Sequence, residues 1–136
     1  MSLKVPDSVE VEVLTAMLTP ALTLKLYGNN KTPADSDVTA DYTEIAGGGY
    51  ASKALTFANW GIAAGAPSTA IYNATQTWNF TGAINAPSTI YGYFVTRNSD
   101  GNLMWAERFP VGLIPFTPIA GSKINVLPRV TAESQF

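Results

Sequence analysis

The chain contains no cysteine and no histidine. The missing thiols exclude cysteine catalysis and any disulfide framework. Both absences together exclude zinc sites of the Cys/His type, and the second removes histidine acid–base chemistry. Charge is scarce as well: Asp, Glu, Lys and Arg make up 13% of the 136 residues, against about 25% in an average soluble domain. The net charge of −2 leaves no basic surface for phosphates, so nucleic acid is not an expected partner. No apolar run approaches the ~18 residues of a membrane span, and no membrane partner is expected. Met1–Asp7 lacks the basic and apolar regions of a secretory signal, so synthesis in a cytosol is expected. The sequons at Asn30, Asn73 and Asn79 then read as ordinary polar loop and strand residues. The composition points away from an enzyme; no catalytic residue, metal or cofactor is expected.

What is present is the patterning of one mainly β domain. Val9, Val13 and Met17 recur at helical spacing, with Leu14 and Leu18 close to the same face. Asp7 or Ser8 stands where a cap belongs, and Pro20 ends the pattern, which predicts a short helix of about 10 residues. The opening Val-Glu-Val-Glu-Val alternation fits a strand equally well. From Pro20 onward the period is two. Leu22, Leu24 and Leu26 alternate with polar residues before a turn at Gly28-Asn29-Asn30. Lys31–Tyr50 reads as a long loop with a local turn at Pro33-Ala34-Asp35, and loops of this length commonly carry function.

Further strands are expected over Lys53–Trp60, Thr75–Thr81, Thr89–Arg97, Leu103–Phe109 and Lys123–Val130. The Asn98–Asn102 turn, with Asp100-Gly101 inside it, joins two of them as a hairpin. Pro110, Pro115 and Pro118 demote the stretch between the last two to edge strand or loop. Six or seven strands behind one helix predict a single-domain antiparallel β-sandwich, jelly-roll-like, over residues 21–136, with residues 1–20 as an N-terminal arm. Tyr91, Tyr93 and Phe94 put bulk on both faces of one strand, so that strand needs cover on both sides.

The chemistry-bearing clusters are thin. Asp35, Asp37 and Asp41 have calcium-like spacing, but the EF-hand positions counted from Asp35 fall on Thr39, Ala40 and Ala46. Turn-forming and solubilising roles fit better. Gly47-Gly48-Gly49 lacks the Lys-Ser/Thr of a phosphate loop. Glu107 lies in a strand beside Trp105, and an ion pair across the hairpin with Arg97 is the expected role. Trp60, Trp78 and Trp105 are expected core, while Tyr27, Tyr50 and Tyr72 are contact candidates if exposed. The low charge implies a surface of Thr, Ser, Asn, Gly and Ala, which suits a protein packed against copies of itself or a partner.

Several segments, taken in order, carry a resemblance. They are Val5-Pro6-Asp7, Leu24–Asp35 (Leu-Lys-Leu-Tyr-Gly-Asn-Asn-Lys-Thr-Pro-Ala-Asp), Gly49-Tyr50, the strand ending in Trp60, Gln76–Phe80, Ile90–Thr96 and Leu103–Phe109. In order and spacing, over roughly residues 5 to 130, the chain resembles small virion structural proteins of tailed bacteriophages, most of all capsid decoration (cement) proteins. The resemblance implies a β-rich body on the capsid exterior that bridges major capsid protein subunits. It also implies homo-oligomers, trimers foremost, made in the host cytoplasm. A tail, head–tail joining or glycan-receptor-binding component is the alternative. On this reading the contacts come from the arm and the long loop: Val9, Val13, Met17, Tyr27, Asn30, Asp35, Asp37 and Tyr50. Deleting residues 1–20 would then abolish capsid binding and leave the sandwich folded.

Overall fold

The Leu22/Leu24/Leu26 alternation becomes strand β1 (Leu22–Tyr27), and all three leucines are fully buried. Around it, a computed structural model describes residues 5–132. After helix α1 (Asp7–Leu18) and β1 come β2 (Lys53–Leu55), β3 (Trp60–Ala63), β4 (Ser68–Tyr72) and β5 (Gln76–Asn79). They are followed by β6 (Gly92–Arg97), β7 (Leu103–Arg108), β8 (Lys123–Val126) and β9 (Arg129–Ala132). Among the described residues the fold is mainly β. Its three antiparallel sheets are ordered β2-β1-β6-β7, β3-β4-β9 and β5-β8, with one short α-helix. The pairings β4–β9, β5–β8 and β6–β7 are nested, so the second half of the chain is a long ribbon closed by the β6–β7 hairpin. No described helix is long and apolar enough to cross a membrane.

One core joins all three sheets and the helix. It includes Leu14 and Leu18 from α1, the three leucines of β1, Trp60, Tyr72, Trp78, Tyr93, Val95, Ile124 and Val126. Gly92 is required where β6 passes Tyr27. A Cβ there would meet the carbonyl oxygen of Glu107 and lie 2.6–2.7 Å from the Tyr27 ring and hydroxyl.

Several expectations are corrected. The helix begins after Pro6, whose carbonyl accepts from Val9 and Glu10, and neither Asp7 nor Ser8 caps it. Its buried ridge is Glu10, Leu14 and Leu18, which turns Val9 and Val13 outward and leaves Met17 half-buried. The two leucines are enclosed and the two valines are not, so the leucine side of the helix is the one that meets the core. Leu14 and Leu18 belong to the common core, which runs across the 1–20/21–136 division. Glu10 is buried with it, its Oε1 accepting from Ser68 Oγ at 2.8 Å.

Lys53–Trp60 is not one strand. A 3-10 turn, Phe57–Asn59, carries the chain from the first sheet to the second. The Tyr72 hydroxyl fixes that crossing by accepting from Thr56 N and Asn59 Nδ2. Lys123–Val130 is likewise two strands, parted at Leu127-Pro128 and paired with different neighbours. Strand β4 has no counterpart among the expected strands. The β6–β7 hairpin and the core positions of Trp60 and Trp78 agree with expectation.

Candidate interaction surfaces

The long loop does not reach outward. It folds back over the outer face of the four-stranded sheet and supplies the second cover that Tyr91, Tyr93 and Phe94 required. Tyr42 drops onto that face, edge-on to Tyr27 (5.0 Å between centroids) and stacked on Phe94 (5.4 Å), forming a small second core. Ile45 enters the main core.

Asp37 is the clasp. Its Oδ2 accepts from the Tyr42 hydroxyl (2.7 Å) and from Ala34 N (2.8 Å), and its Oδ1 lies 2.8 Å from Lys31 Nζ. Only 5% of its side chain stays exposed. The Lys31 ammonium first, then the Tyr42 hydroxyl, hold the Asp37 carboxyl down at about 2. The Lys31 carbonyl accepts from the Tyr27 hydroxyl (2.9 Å) and from Arg108 Nη1 (3.1 Å). Asn29 ties the loop at Asp41 O and Thr43 N, and Thr39 Oγ1 donates to Gly101 O.

These bonds relocate the expected contact residues. Tyr27 is fully buried and so is no surface residue; burial pushes its phenol up to about 12. Tyr72 is buried too. Tyr50 is half-buried, stacked on Trp78 and donating to Glu44 Oε2 at 2.7 Å, so it braces the fold. Asp37 is spent inside the loop. Asn30 and Asp35 are exposed, Asp35 beside a groove of about 340 Å³ between the loop and Leu103, Met104 and Ala106 of β7. Val9 and Val13 are exposed on the outer ridge of α1, at 39% and 54%.

Glu107 accepts from the Tyr93 hydroxyl at 2.7 Å, while Arg97 pairs with Asp100 inside the turn, so the expected Arg97–Glu107 pair is not formed. Proximity within the turn wins over reach across the hairpin. Among the described residues no group of three or more Asp or Glu side chains could hold a metal ion.

An uncovered apolar surface lies on the segment that Pro110, Pro115 and Pro118 interrupt. Phe109–Ser122 holds 14 residues without a charge. Val111, Leu113 and Ile119 stand 85%, 61% and 67% exposed on it. The loop is held from several sides. Leu113 N donates to Pro110 O, Phe116 exchanges two backbone bonds with Ile90, and the Ile119–Ser122 turn is tied to Phe80. A groove of about 250 Å³ runs beside it, lined by Phe109, Leu113, Phe116, Ile124, Lys123 and Asn125.

No protein-family model, curated protein or solved structure matches this chain.

Proposed function

We propose that the chain is a bacteriophage capsid decoration protein, bound to the outside of the shell and bridging major capsid protein subunits. The observation that carries this reading is the uncharged, anchored loop Phe109–Ser122, with three aliphatic side chains held in solvent. Fully burying such a side chain gains about 1.5–3 kcal/mol. At their present exposures Val111 and Ile119, at the loop crest, would gain about 2–5 kcal/mol on docking. Because turns and prolines already fix the loop, little ordering entropy opposes that gain. The low overall charge and the resemblance in segment order support the same reading. The sheets β2-β1-β6-β7 and β3-β4-β9 are read as the layers of a sandwich, and the nested β4–β9, β5–β8, β6–β7 ribbon favours a jelly-roll winding.

Stapling of this kind needs only an ordinary interface of ~1,600 Å². Repeated over the shell, it stabilises the assembled state by mass action, because the protein binds that state alone. The test is the amount of this chain in purified particles together with rebinding to shells stripped of it. A fixed ratio to the major capsid protein is expected, and Val111→Ser/Ile119→Ser should weaken rebinding about 100-fold while leaving the melting curve unchanged. A few copies per particle would move the protein to the tail or its junction. Absence from particles would overturn the structural reading.

A further inference from the structure

The outer ridge of α1 and the groove beside the Phe109–Ser122 loop are complementary. Along the ridge run Val9, Glu12, Val13 and Ala16, at i, i+3, i+4 and i+7, all exposed. Glu12 is the ridge's one charge, and α1 contains no basic residue. The groove is walled by Phe109, Leu113, Phe116 and Ile124, with exposed Lys123 at its side. Residues 108–132 carry three cations, Arg108, Lys123 and Arg129, and no carboxylate. The chain thus carries an apolar ridge marked by one negative charge and, elsewhere, an apolar groove marked by one positive charge.

We infer that the groove seats α1 of a second copy of this chain, with Glu12 of one copy meeting Lys123 of the other. A helix offering anchors at this spacing to an apolar groove is a recurrent recognition mode. The opposite charges fix register and speed encounter. A copy cannot fill its own groove, because Glu10, Leu14 and Leu18 hold its helix on β3, β4 and β9. Donor and acceptor surfaces differ, so the contact is head-to-tail: it closes into a ring where the rotation allows and otherwise propagates. The inference goes beyond shell binding, which is assigned to the loop crest at Val111 and Ile119, outside the groove lining.

Sedimentation velocity on the full chain, up to about 1 mM, tests it at the weak end of specific association. Concentration-dependent assembly is expected. Glu12→Lys and Lys123→Glu should each weaken it about 5- to 10-fold, and the two together should restore it to within about 3-fold of the parent. Val13→Asp should abolish it, by about 100-fold or more. All three positions are exposed, so each variant should keep the parent's melting curve. A parent that stays monomeric throughout overturns the inference, even if ridge variants lose shell binding. So does a double charge reversal no better than the singles, or assembly that survives Val13→Asp.

Discussion

Removing the helix's grip should unfold the body rather than free it from an arm. Leu14 and Leu18 are 1% and 0% exposed in the common core. A leucine that well enclosed costs about 3–5 kcal/mol when cut to alanine, the lost transfer energy adding to the cavity left behind. With a urea dependence of about 1–3 kcal/mol per molar, Leu18→Ala should lower the unfolding midpoint by about 1–5 M. Deleting residues 1–18 removes both leucines and the Glu10–Ser68 bond, for a loss of about 6–10 kcal/mol. That is comparable with the whole stability of a typical domain, about 5–15 kcal/mol, so the truncated chain should not unfold cooperatively. Val13→Ala is the control. At 54% exposure it should shift stability by no more than about 0.5 kcal/mol. Urea titrations followed by circular dichroism and tryptophan fluorescence would check all three. A truncated chain that keeps the parent's midpoint, or a Leu18→Ala shift as small as that of Val13→Ala, would refute the reasoning.

Three further outcomes follow from the polar contacts and the buried tyrosine. Ser68→Ala leaves the buried Glu10 without the hydroxyl that it accepts from. It should cost about 2 kcal/mol by urea titration, and an unchanged midpoint would mean that water already serves Glu10. Asp37 has its pKa depressed to about 2, below about 3.9 in the unfolded chain, so its contribution is present above pH ~4 and fades as pH falls toward 2. The protection of the amides at residues 39–44, taken as exchange relative to the intrinsic rate at each pH, should fall in that window, and Asp37→Asn should show the same loosening at neutral pH; protection unchanged from pH 5 to 2 would refute the clasp. At the alkaline end the sign is opposite. Tyr27, raised to about 12 by burial, favours the folded state below pH ~10 and loses that contribution as pH rises toward 12. Cooperative tyrosinate formation above pH 10, coincident with unfolding, is the expected readout.

The strands that the sequence made legible are those whose local signals agree. Asp100-Gly101 between two runs of β-formers could make little but a hairpin, and alternating leucines could make little but β1. The sheet crossings were hidden because they depend on distant partners. Phe57–Asn59 leaves the first sheet for a hydroxyl on Tyr72, thirteen residues beyond Asn59. Leu127-Pro128 reads as the middle of a run until β8 and β9 find different neighbours in β5 and β4. Strand β4, Ser68-Thr69-Ala70-Ile71-Tyr72, is short and half small residues, and its core positions Ala70 and Ser68 give no apolar alternation to detect.

The long loop's placement was hidden for a related reason. A polar loop of twenty residues has the same composition whether it reaches for a partner or lies on its own sheet. Here Tyr42 and Ile45 are the difference, two bulky apolar side chains that the sheet needed as cover and that such a loop would not expose without cost. The need for cover was visible at Tyr91, Tyr93 and Phe94, and so were the residues able to provide it; only their pairing required the fold. The opposite holds for Phe109–Ser122. Its prolines signal broken strand, and broken strand is ordinarily polar. Fourteen residues with no charge and with Val111, Leu113 and Ile119 in solvent depart from that rule in the direction that costs solubility. Under the proposed function, such a surface, aliphatic side chains on a fixed loop in a chain already short of charge, is the one that a partner covers.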